Sequence, residues 1–157
     1  MPYLSVDECI IKPDERYSAK TGYPDRVIVA HHQSYLDILR KWETETHAVQ
    51  IDNAWPDSKL YRMRFSYKGI PIILDNTRDN AEETVTHCIE HSFWGARQIL
   101  NISSAGAVHD ELQIGDLVIG KRAVRDDAAT RELASNEIEA ESSKKLTDLL
   151  LNTVKEG

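Results

Sequence analysis

The sequence predicts an α/β protein with a mixed central sheet flanked by helices. Three observations indicate this class: short apolar runs that suit buried strands, apolar stripes at helical spacing between those runs, and an alternating pattern that turns back on itself. The chain has 157 residues and shows no internal repeat or clear linker. We therefore predict one domain over 1–157, which opens with an irregular segment over 1–25.

The first part of the chain predicts the opening strand and helix of this sheet. Residues 26–30 are mostly apolar, as in a strand that is buried on both faces. Ser34 follows at the position of a helix cap, with Asp37 three residues later as the partner acid. The helix after it carries an apolar face at helical spacing, formed by Tyr35, Leu36, Ile38, Leu39 and Trp42.

A hairpin is predicted in the middle of the chain. A short strand over 47–51 precedes an alternating strand over 60–67, and a tight turn leads into a return strand over 70–74. Pro71 lies near the start of this return strand. It indicates an edge position, because proline has no backbone N–H to donate to a neighbouring strand.

The second half of the chain again alternates helices and strands. The pattern predicts, in order, a helix over 80–98 and strands over 99–103 and 112–120; residues 123–125 extend the last strand or form a further short one. A solvated loop over 126–141 and a helix that begins at Ser142 or Ser143 follow. Because a helix in an α/β protein normally leads to another strand, more sheet is expected beyond the final helix.

The composition argues against several broad classes of function. The net charge is −7, which disfavours a general nucleic-acid binder or a membrane-surface binder, because phosphate groups attract a basic face. The two cysteines form no disulfide framework, and the sequence shows neither a signal peptide nor an apolar run long enough to span a membrane. We predict a cytoplasmic protein that needs no cofactor.

The segment LNISSAGA, residues 100–107, has the pattern of a strand that opens into a ligand loop. Its apolar start ends in the hydroxyls of Ser103 and Ser104 and in Gly106, which lets the backbone approach a ligand closely. An anion in such a loop requires a nearby cation, and Asn101 occupies the position where we would expect one. The loop is a candidate site for a small ligand; packing alone is the alternative explanation for its small residues.

Three segments together resemble the nucleoside phosphorylase/uridine phosphorylase family, which includes the methylthioadenosine nucleosidases. DRVIVAHHQSYLDIL resembles the family's opening strand, phosphate loop and helix, and YKGIPIIL resembles its hairpin. ARQILNISSAGAVHDELQIGDLVIGKRAVRDDAAT resembles its next strand, its R-[VI]-G-[ST]-x-G-[AG] loop and the strands that follow. The resemblance implies a phosphorylase-like fold, N-glycosidic cleavage of nucleosides, and assembly as a homodimer or larger oligomer.

The same resemblance implies that the family's phosphate site is altered in this chain. The glycine and arginine of the first phosphate loop correspond to His31 and Tyr35, and the arginine of the second loop corresponds to Asn101. Phosphate is normally held by charge-assisted donors, so their loss predicts weak or no phosphorolysis and favours water as the nucleophile. The candidate ligand-binding residues are His31, Tyr35, Arg78, Asn101, Ser103, Ser104, Ala105 and Gly106.

Members of this family also run further, so the resemblance implies a fold that is shortened at its C-terminus. In the family, the part beyond carries the residues that contact the base and the ribose and that protonate the departing base. The catalytic residues are therefore left unassigned. A non-catalytic homologue that binds a nucleoside, a base, a phosphate-like molecule or a partner protein is the second hypothesis.

Histidines suggest a third hypothesis. His87, Glu90 and His91 form the zinc-binding pattern H-x-x-E-H, in which histidines at i and i+4 share a helix face and the glutamate serves as a base. A zinc hydrolase would need a third ligand, and packing of this helix on the sheet is the alternative. His31 and His32 could likewise hold a metal ion, act as a general base, or serve loop packing.

Overall fold

The computed structural model describes residues 22–52, 62–77, 80–126, 131 and 139–156 of the chain. Most of the predicted irregular segment over 1–25 therefore lies outside the described residues. The contacts divide the chain into two compact units, Met1–Ser104 and Ala105–Gly157, and each is described by itself. The single domain predicted above stays a prediction.

The first unit is built on a mixed five-stranded sheet. Its described elements are β1 (Arg26–Ala30), α1 (Ser34–Thr46), β2 (Val49–Ile51), β3 (Arg62–Tyr67), β4 (Ile70–Asn76), α2 (Ala81–Trp94) and β5 (Gln98–Ile102). The strand order is β2-β3-β4-β1-β5. β1 is parallel to both β4 and β5, whereas β3 is antiparallel to β2 and β4. The predicted α/β class with a mixed sheet is confirmed.

Side-chain alternation divides the apolar residues of this sheet between two cores. On one face, Val27 and Val29 of β1 and Ile73 of β4 are almost fully buried, and Cys88 of α2 packs against them. On the other face, a second cluster includes residues of α1; its members are Ala30, Leu36, Leu39, Val49, Met63, Phe65 and Leu74. Burial of these apolar side chains is the main favourable contribution that holds both helices on the sheet.

The register of the three parallel strands determines where their polar side chains lie. Val29 of β1 lies beside Asp75 of β4 and beside Asn101 of β5. Neighbouring side chains of paired strands point to the same face, so Asp75 and Asn101 face α2, as Val29 does. The last paired residues of the three strands are also in register, so all three strands end at the same edge of the sheet.

The helix ends differ from those predicted. Gln33 occupies the N-cap of α1, and its side chain makes no capping hydrogen bond, so the prediction that Ser34 caps this helix is wrong. Asn80 caps α2, and its side chain accepts a hydrogen bond from the Glu83 backbone N–H. This helix ends before Gly95, whose φ of 122° is a conformation that favours glycine, rather than at residue 98 as predicted.

Pro71 does not mark an edge strand. β4 lies between β3 and β1, so the predicted edge position is wrong. The pairing of β4 with β1 begins only at Ile73, whose partner is Val27. Pro71 therefore precedes the part of β4 that pairs with β1, and its missing N–H removes no hydrogen bond of that ladder.

The second unit contains a two-stranded sheet and a helix among its described residues. β6 (Arg122–Val124) pairs antiparallel with β7 (Glu139–Glu141), and α3 spans Lys144–Glu156. The Ser143 carbonyl accepts from the Thr147 backbone N–H at 2.9 Å, which agrees with the predicted start of this helix. In the described parts of the chain, no helix has the length and apolar character that a membrane crossing requires.

Two predictions for the second unit are wrong. The backbone over 112–120 is turn and coil rather than strand. Leu117 and Val118 there are 70% and 68% exposed, so they lack the cross-strand packing that favours a strand. Residues 139–141, predicted as part of a loop, form β7 because their backbone pairs with β6, although their side chains are exposed. Most of the rest of that predicted loop lies outside the described residues.

Replacement of Ile73 tests the core under α2. Ile73→Ala should lower the free energy of unfolding by about 2–5 kcal/mol, because removal of a fully buried side chain leaves a cavity. Ile38→Ala is the matched control: Ile38 belongs to the predicted apolar face of α1 but is 45% exposed, so its loss should cost less than about 1 kcal/mol. Urea unfolding followed by circular dichroism measures both variants, and equal losses would contradict the described core.

Candidate functional site

A cavity opens at the edge of the sheet where the three parallel strands end. Its volume is about 480 Å³, and residues from β5, from the loops after β1 and β5, and from the start of α2 form its wall. The lining residues are His31, Asn80, Ala81, Thr84, Val85, Asn101, Ser103 and Ser104. Open α/β sheets bind ligands at this edge, because the carboxyl ends of parallel strands bring loop groups together there. This cavity is the candidate functional site.

His31 is held in the cavity wall by contacts at both ring nitrogens. Its Nε2 lies 2.7 Å from Asn101 Oδ1, and its Nδ1 lies 3.1 Å from Thr77 Oγ1. Because an amide oxygen can only accept, His31 donates through Nε2. Thr77 is 3% exposed, and its backbone N–H donates to the Ala30 carbonyl at 2.8 Å. The buried end of β4 therefore fixes the position of the imidazole.

The first turn of α2 supplies a second group of polar side chains. Asn80 Oδ1 accepts from the Glu83 backbone N–H at 2.6 Å, and the Thr84 hydroxyl donates to the Asn80 carbonyl at 2.9 Å. A helix start attracts anions, but Glu82 and Glu83 place two carboxylates in this turn. The described first turn of α2 therefore carries carboxylates close in sequence to the lining residues Asn80 and Thr84.

The described lining of the cavity contains no lysine or arginine. Its hydrogen-bonding groups, apart from the imidazole, are the amides and hydroxyls of Asn80, Asn101, Thr84, Ser103 and Ser104. A buried phosphate dianion is normally held by charged donors, whereas neutral amides and hydroxyls suit the hydroxyl and carbonyl groups of an uncharged ligand. The amides and hydroxyls of the described lining fit the hydroxyl and carbonyl oxygens of a ligand.

Four of the predicted site residues come together in this cavity: His31, Asn101, Ser103 and Ser104. Tyr35 packs against the core that includes α1 and does not belong to the described lining. Arg78 lies outside the described residues, and Ala105 and Gly106 belong to the second unit. The predicted site residues at the ends of β1 and β5 therefore lie together in one cavity.

The sequence analysis did not single out the lining residues Asn80, Ala81, Thr84 and Val85, or Thr77, which supports His31 from behind the wall. Asn80 carried a usable signal, because an asparagine three residues before a glutamate is typical of a capped helix start. Thr84 lies one turn after that cap and could have been inferred with it. Thr77 gives no signal by itself, since its role depends on the pairing of β4 with β1.

The rest of the His-His-Gln segment is occupied by local contacts. His32 Nδ1 lies 2.7 Å from Ser34 Oγ, and Gln33 Oε1 accepts from Asn76 Nδ2 at 3.1 Å. These contacts favour the loop-packing explanation of the histidine pair. Within the described ranges, no group of three or more histidine, cysteine, aspartate or glutamate side chains could hold a metal ion.

A buried ionic network holds α2 on the sheet. Asp75 of β4 is fully buried, and its Oδ2 accepts from Arg62 Nε of β3 at 2.8 Å. The same oxygen accepts from His87 Nδ1 at 2.9 Å and from His91 Nε2 at 2.6 Å, both on α2. Arg62 also donates to Glu90 Oε2 at 2.7 Å. Because buried charges are tolerated only when paired, the network fixes β3, β4 and α2 in one arrangement.

Two members of this network have shifted pKa values. Burial opposes ionisation of Asp75, but the N–H donors and the positive charge around it outweigh burial and hold the pKa of this carboxyl well below its usual range. Burial lowers the pKa of His91 and exceeds the opposing effect of Asp75. His91 is therefore neutral at neutral pH: its Nε2–H donates to Asp75, and its Nδ1 accepts from the Tyr23 hydroxyl at 2.6 Å.

This network explains the H-x-x-E-H pattern. His87 and His91 share a face of α2, as the spacing predicts, but both contact the Asp75 carboxylate. Glu90, the base of the zinc hypothesis, pairs with Arg62 instead. The pattern serves the packing of α2 on the sheet, and the zinc hypothesis has no support in the described residues.

Residues 75–157, more than half of the chain, match the family model of the phosphorylase superfamily. The chain belongs to the phosphorylase superfamily. The resemblance predicted from its three segments is confirmed.

Relatives of known structure and sequence agree with this assignment. Uridine phosphorylase from Thermococcus kodakarensis is 31% identical over 85 residues, which are 54% of this chain and 31% of that protein. Uridine phosphorylase from Vibrio fischeri has the same fold: its complex with 6-hydroxy-1-naphthoic acid gives a TM-score of 0.71 at 21% identity, over 88% of this chain and 55% of that one. A second structure of that protein gives 0.70 at 21% identity, over 89% and 56%.

The phosphorylase-like fold is thus confirmed over part of the relatives' length. The chain spans about half the length of the solved uridine phosphorylases and about a third of the curated relative. The activity of the full-length relatives is therefore only proposed for this chain.

Replacement of Asp75 tests the ionic network. Asp75→Asn should destabilise the fold by about 2–4 kcal/mol, because the amide keeps the shape of the carboxylate but loses the fully buried charge that accepts from partly buried Arg62 and from two histidines. Asp148→Asn, at an exposed ion pair with Lys144, is the control and should change stability by less than about 1 kcal/mol. Chemical denaturation measures both, and a small loss in Asp75→Asn would contradict a structural role for the network.

The lowered pKa of His91 predicts a pH dependence of stability. The unfolded chain takes up a proton on this histidine near pH 6.5, whereas the folded chain does so only at lower pH. The contribution of His91 is therefore fully present above about pH 6.5 and is lost as the pH falls below it. His91→Gln should flatten the fall in unfolding free energy over this range, which urea unfolding at several pH values measures. An unchanged slope in His91→Gln would contradict this assignment.

Proposed function

We propose that the chain binds a nucleoside in the cavity at the strand ends and cleaves its N-glycosidic bond, with water rather than phosphate as the nucleophile. Membership of the phosphorylase superfamily and the uridine phosphorylase relatives support the class of reaction. The observation that carries the choice of water is the cavity lining, which offers neutral amides and hydroxyls and, among its described members, no lysine or arginine.

Charge decides between the two nucleophiles. A hydrogen bond to a charged group contributes about 1.5–3 kcal/mol, and a phosphate dianion needs several of them to offset the loss of its hydration. The position that the family resemblance assigns to an arginine holds Asn101, which is neutral and bonded to His31. The Glu83 carboxylate, which accepts from the Asn80 amide at 3.2 Å, places a negative charge beside the wall and opposes a phosphate dianion there. A neutral nucleoside meets neither penalty.

Hydrolysis at this site is a displacement at C1′ of the ribose. The bond from C1′ to the base nitrogen breaks, the water oxygen bonds to C1′, and the proton that water loses goes to the departing base. The transition state resembles an oxocarbenium ion, which oriented amide and hydroxyl dipoles beside the sugar stabilise. His31 has partners at both ring nitrogens, so its role in this scheme is to position the wall rather than to act as the base.

A second function, nucleoside binding without cleavage, is favoured by one observation. Among the described lining residues there is no carboxyl group to protonate the departing base, and both nitrogens of the lining imidazole contact protein groups. This function would make the chain a binding homologue of the relatives that it matches. The homodimer or larger assembly and the cytoplasmic location predicted from the sequence stay predictions.

Incubation with uridine, inosine and adenosine, with and without phosphate, separates these functions. We expect release of free base and free ribose at a rate that does not depend on phosphate. Liquid chromatography measures both products over time. Asn101→Arg is the matched variant: its guanidinium returns a charged donor to the wall, so phosphate should stabilise it against heat more than it stabilises the wild-type chain.

Each outcome of this experiment selects one reading. Base release that requires phosphate, with ribose 1-phosphate as product, would contradict the use of water. Thermal stabilisation by uridine without base release under either condition would support binding without cleavage. The absence of both release and stabilisation for every nucleoside would show that the proposed function is wrong.

A further inference from the structure

The side-chain amide of Asn101 is hydrogen-bonded through its oxygen, and its nitrogen is available to a ligand. Its Oδ1 accepts from His31 Nε2 at 2.7 Å, so the oxygen points towards the imidazole. The amide nitrogen Nδ2 then points away from His31, and no described protein group accepts a hydrogen bond from it. Asn101 is exposed and lines the cavity. An N–H donor is therefore available to a ligand at this point of the wall.

Thr77 explains why the amide has this orientation. Its hydroxyl lies 3.1 Å from His31 Nδ1 and 3.5 Å from both the Ala30 carbonyl and the Thr84 hydroxyl, so the contact to His31 is the shortest. A hydroxyl that donates to Nδ1 leaves the ring proton on Nε2. A donating Nε2 selects the oxygen of the Asn101 amide and turns its nitrogen outward.

The three side chains that contact one another in this series come from the ends of the three parallel strands. Thr77 follows β4, His31 follows β1, and Asn101 lies in β5, and β1 pairs with both of the other strands. The strand register therefore fixes the spacing of the three side chains. Buried Thr77 is the rigid end, and exposed Asn101 is the end that meets solvent or a ligand.

We propose that Thr77, His31 and Asn101 form a hydrogen-bond relay that presents the Asn101 amide N–H to a neutral acceptor oxygen of the bound nucleoside. That oxygen is a sugar hydroxyl or a base carbonyl. Thr77 and His31 are positioning residues, and Asn101 determines specificity, because one neutral donor suffices for a neutral oxygen and is too little for a phosphate dianion. The relay rests on the proposed nucleoside function and adds to it the group that recognises the ligand.

Uridine binding to the full chain, measured by isothermal titration calorimetry, tests the relay. Asn101→Asp keeps an acceptor for His31 but loses the N–H donor, and Thr77→Val keeps the shape of the side chain but loses the hydroxyl. We expect each to weaken uridine affinity by about tenfold. Thr77→Ser retains the hydroxyl and should rescue binding, which a role of Thr77 in packing alone does not predict.

Two controls keep this test independent of folding. Thr86→Val alters an exposed threonine of α2 whose hydroxyl donates to the Glu82 carbonyl, and it should bind uridine as the wild-type chain does. Thr77 is buried, so circular dichroism checks each variant at that position. Asn101→Asp is at an exposed position and tests the relay even where Thr77→Val fails to fold.

The outcomes separate the relay from the proposed function. Titrations with free ribose and with uracil identify the acceptor oxygen: a loss confined to ribose in Asn101→Asp supports a sugar hydroxyl, and a loss confined to uracil supports a base carbonyl. Uridine binding by the wild-type chain that persists unchanged in Asn101→Asp, or that Thr77→Ser fails to rescue, overturns the relay alone. A wild-type chain that binds no nucleoside overturns both the relay and the proposed function.

Discussion

The buried carboxylate of Asp75 is the interaction on which the arrangement of the first unit depends. An ion that no water reaches is tolerated only while its donors stay in place, and these donors come from β3 and from α2. Their convergence on one oxygen holds α2 across β4. The start of the same helix carries Asn80 and Thr84 into the wall of the cavity. A network that does not line the cavity therefore determines its geometry.

The two polar side chains that flank Val29 on this face have opposite roles. Asp75, on the β4 side, is charged, and its charge is balanced by protein groups around it. Asn101, on the β5 side, is neutral, and its amide nitrogen remains available to a ligand. A charge that is balanced inside the protein contributes to stability rather than to binding, whereas an oriented neutral donor contributes to recognition. This division leaves an oriented neutral donor in the wall of the cavity of a phosphorylase-type sheet.

The sheet could be predicted from the sequence because apolar runs and alternation follow burial directly. The prediction of a strand over 112–120 is wrong, because an apolar pattern does not show whether another strand is available to pair with it. His87 and His91 have the spacing of zinc ligands, and nothing local indicates that Asp75 lies opposite them, since this depends on how α2 crosses β4. The role of Thr77 is hidden for the same reason, because it follows from the register of β4 against β1. Site residues at strand ends could be predicted from the sequence. The residues on other strands that support them could not, because their roles depend on strand pairing.

The proposed ligand contact joins an uncharged nucleoside to the Asn101 amide in the cavity at the strand ends. The side-chain N–H₂ signals of Asn101 in a ¹⁵N–¹H correlation spectrum, assigned by their loss in Asn101→Asp, report this contact directly. Addition of uridine should shift these signals and those of Asn80, while the side-chain amide signals of the exposed Gln50 in β2, at the opposite edge of the sheet, stay where they are. Unchanged Asn101 signals, under conditions in which uridine shifts other residues of the chain, would contradict the claim.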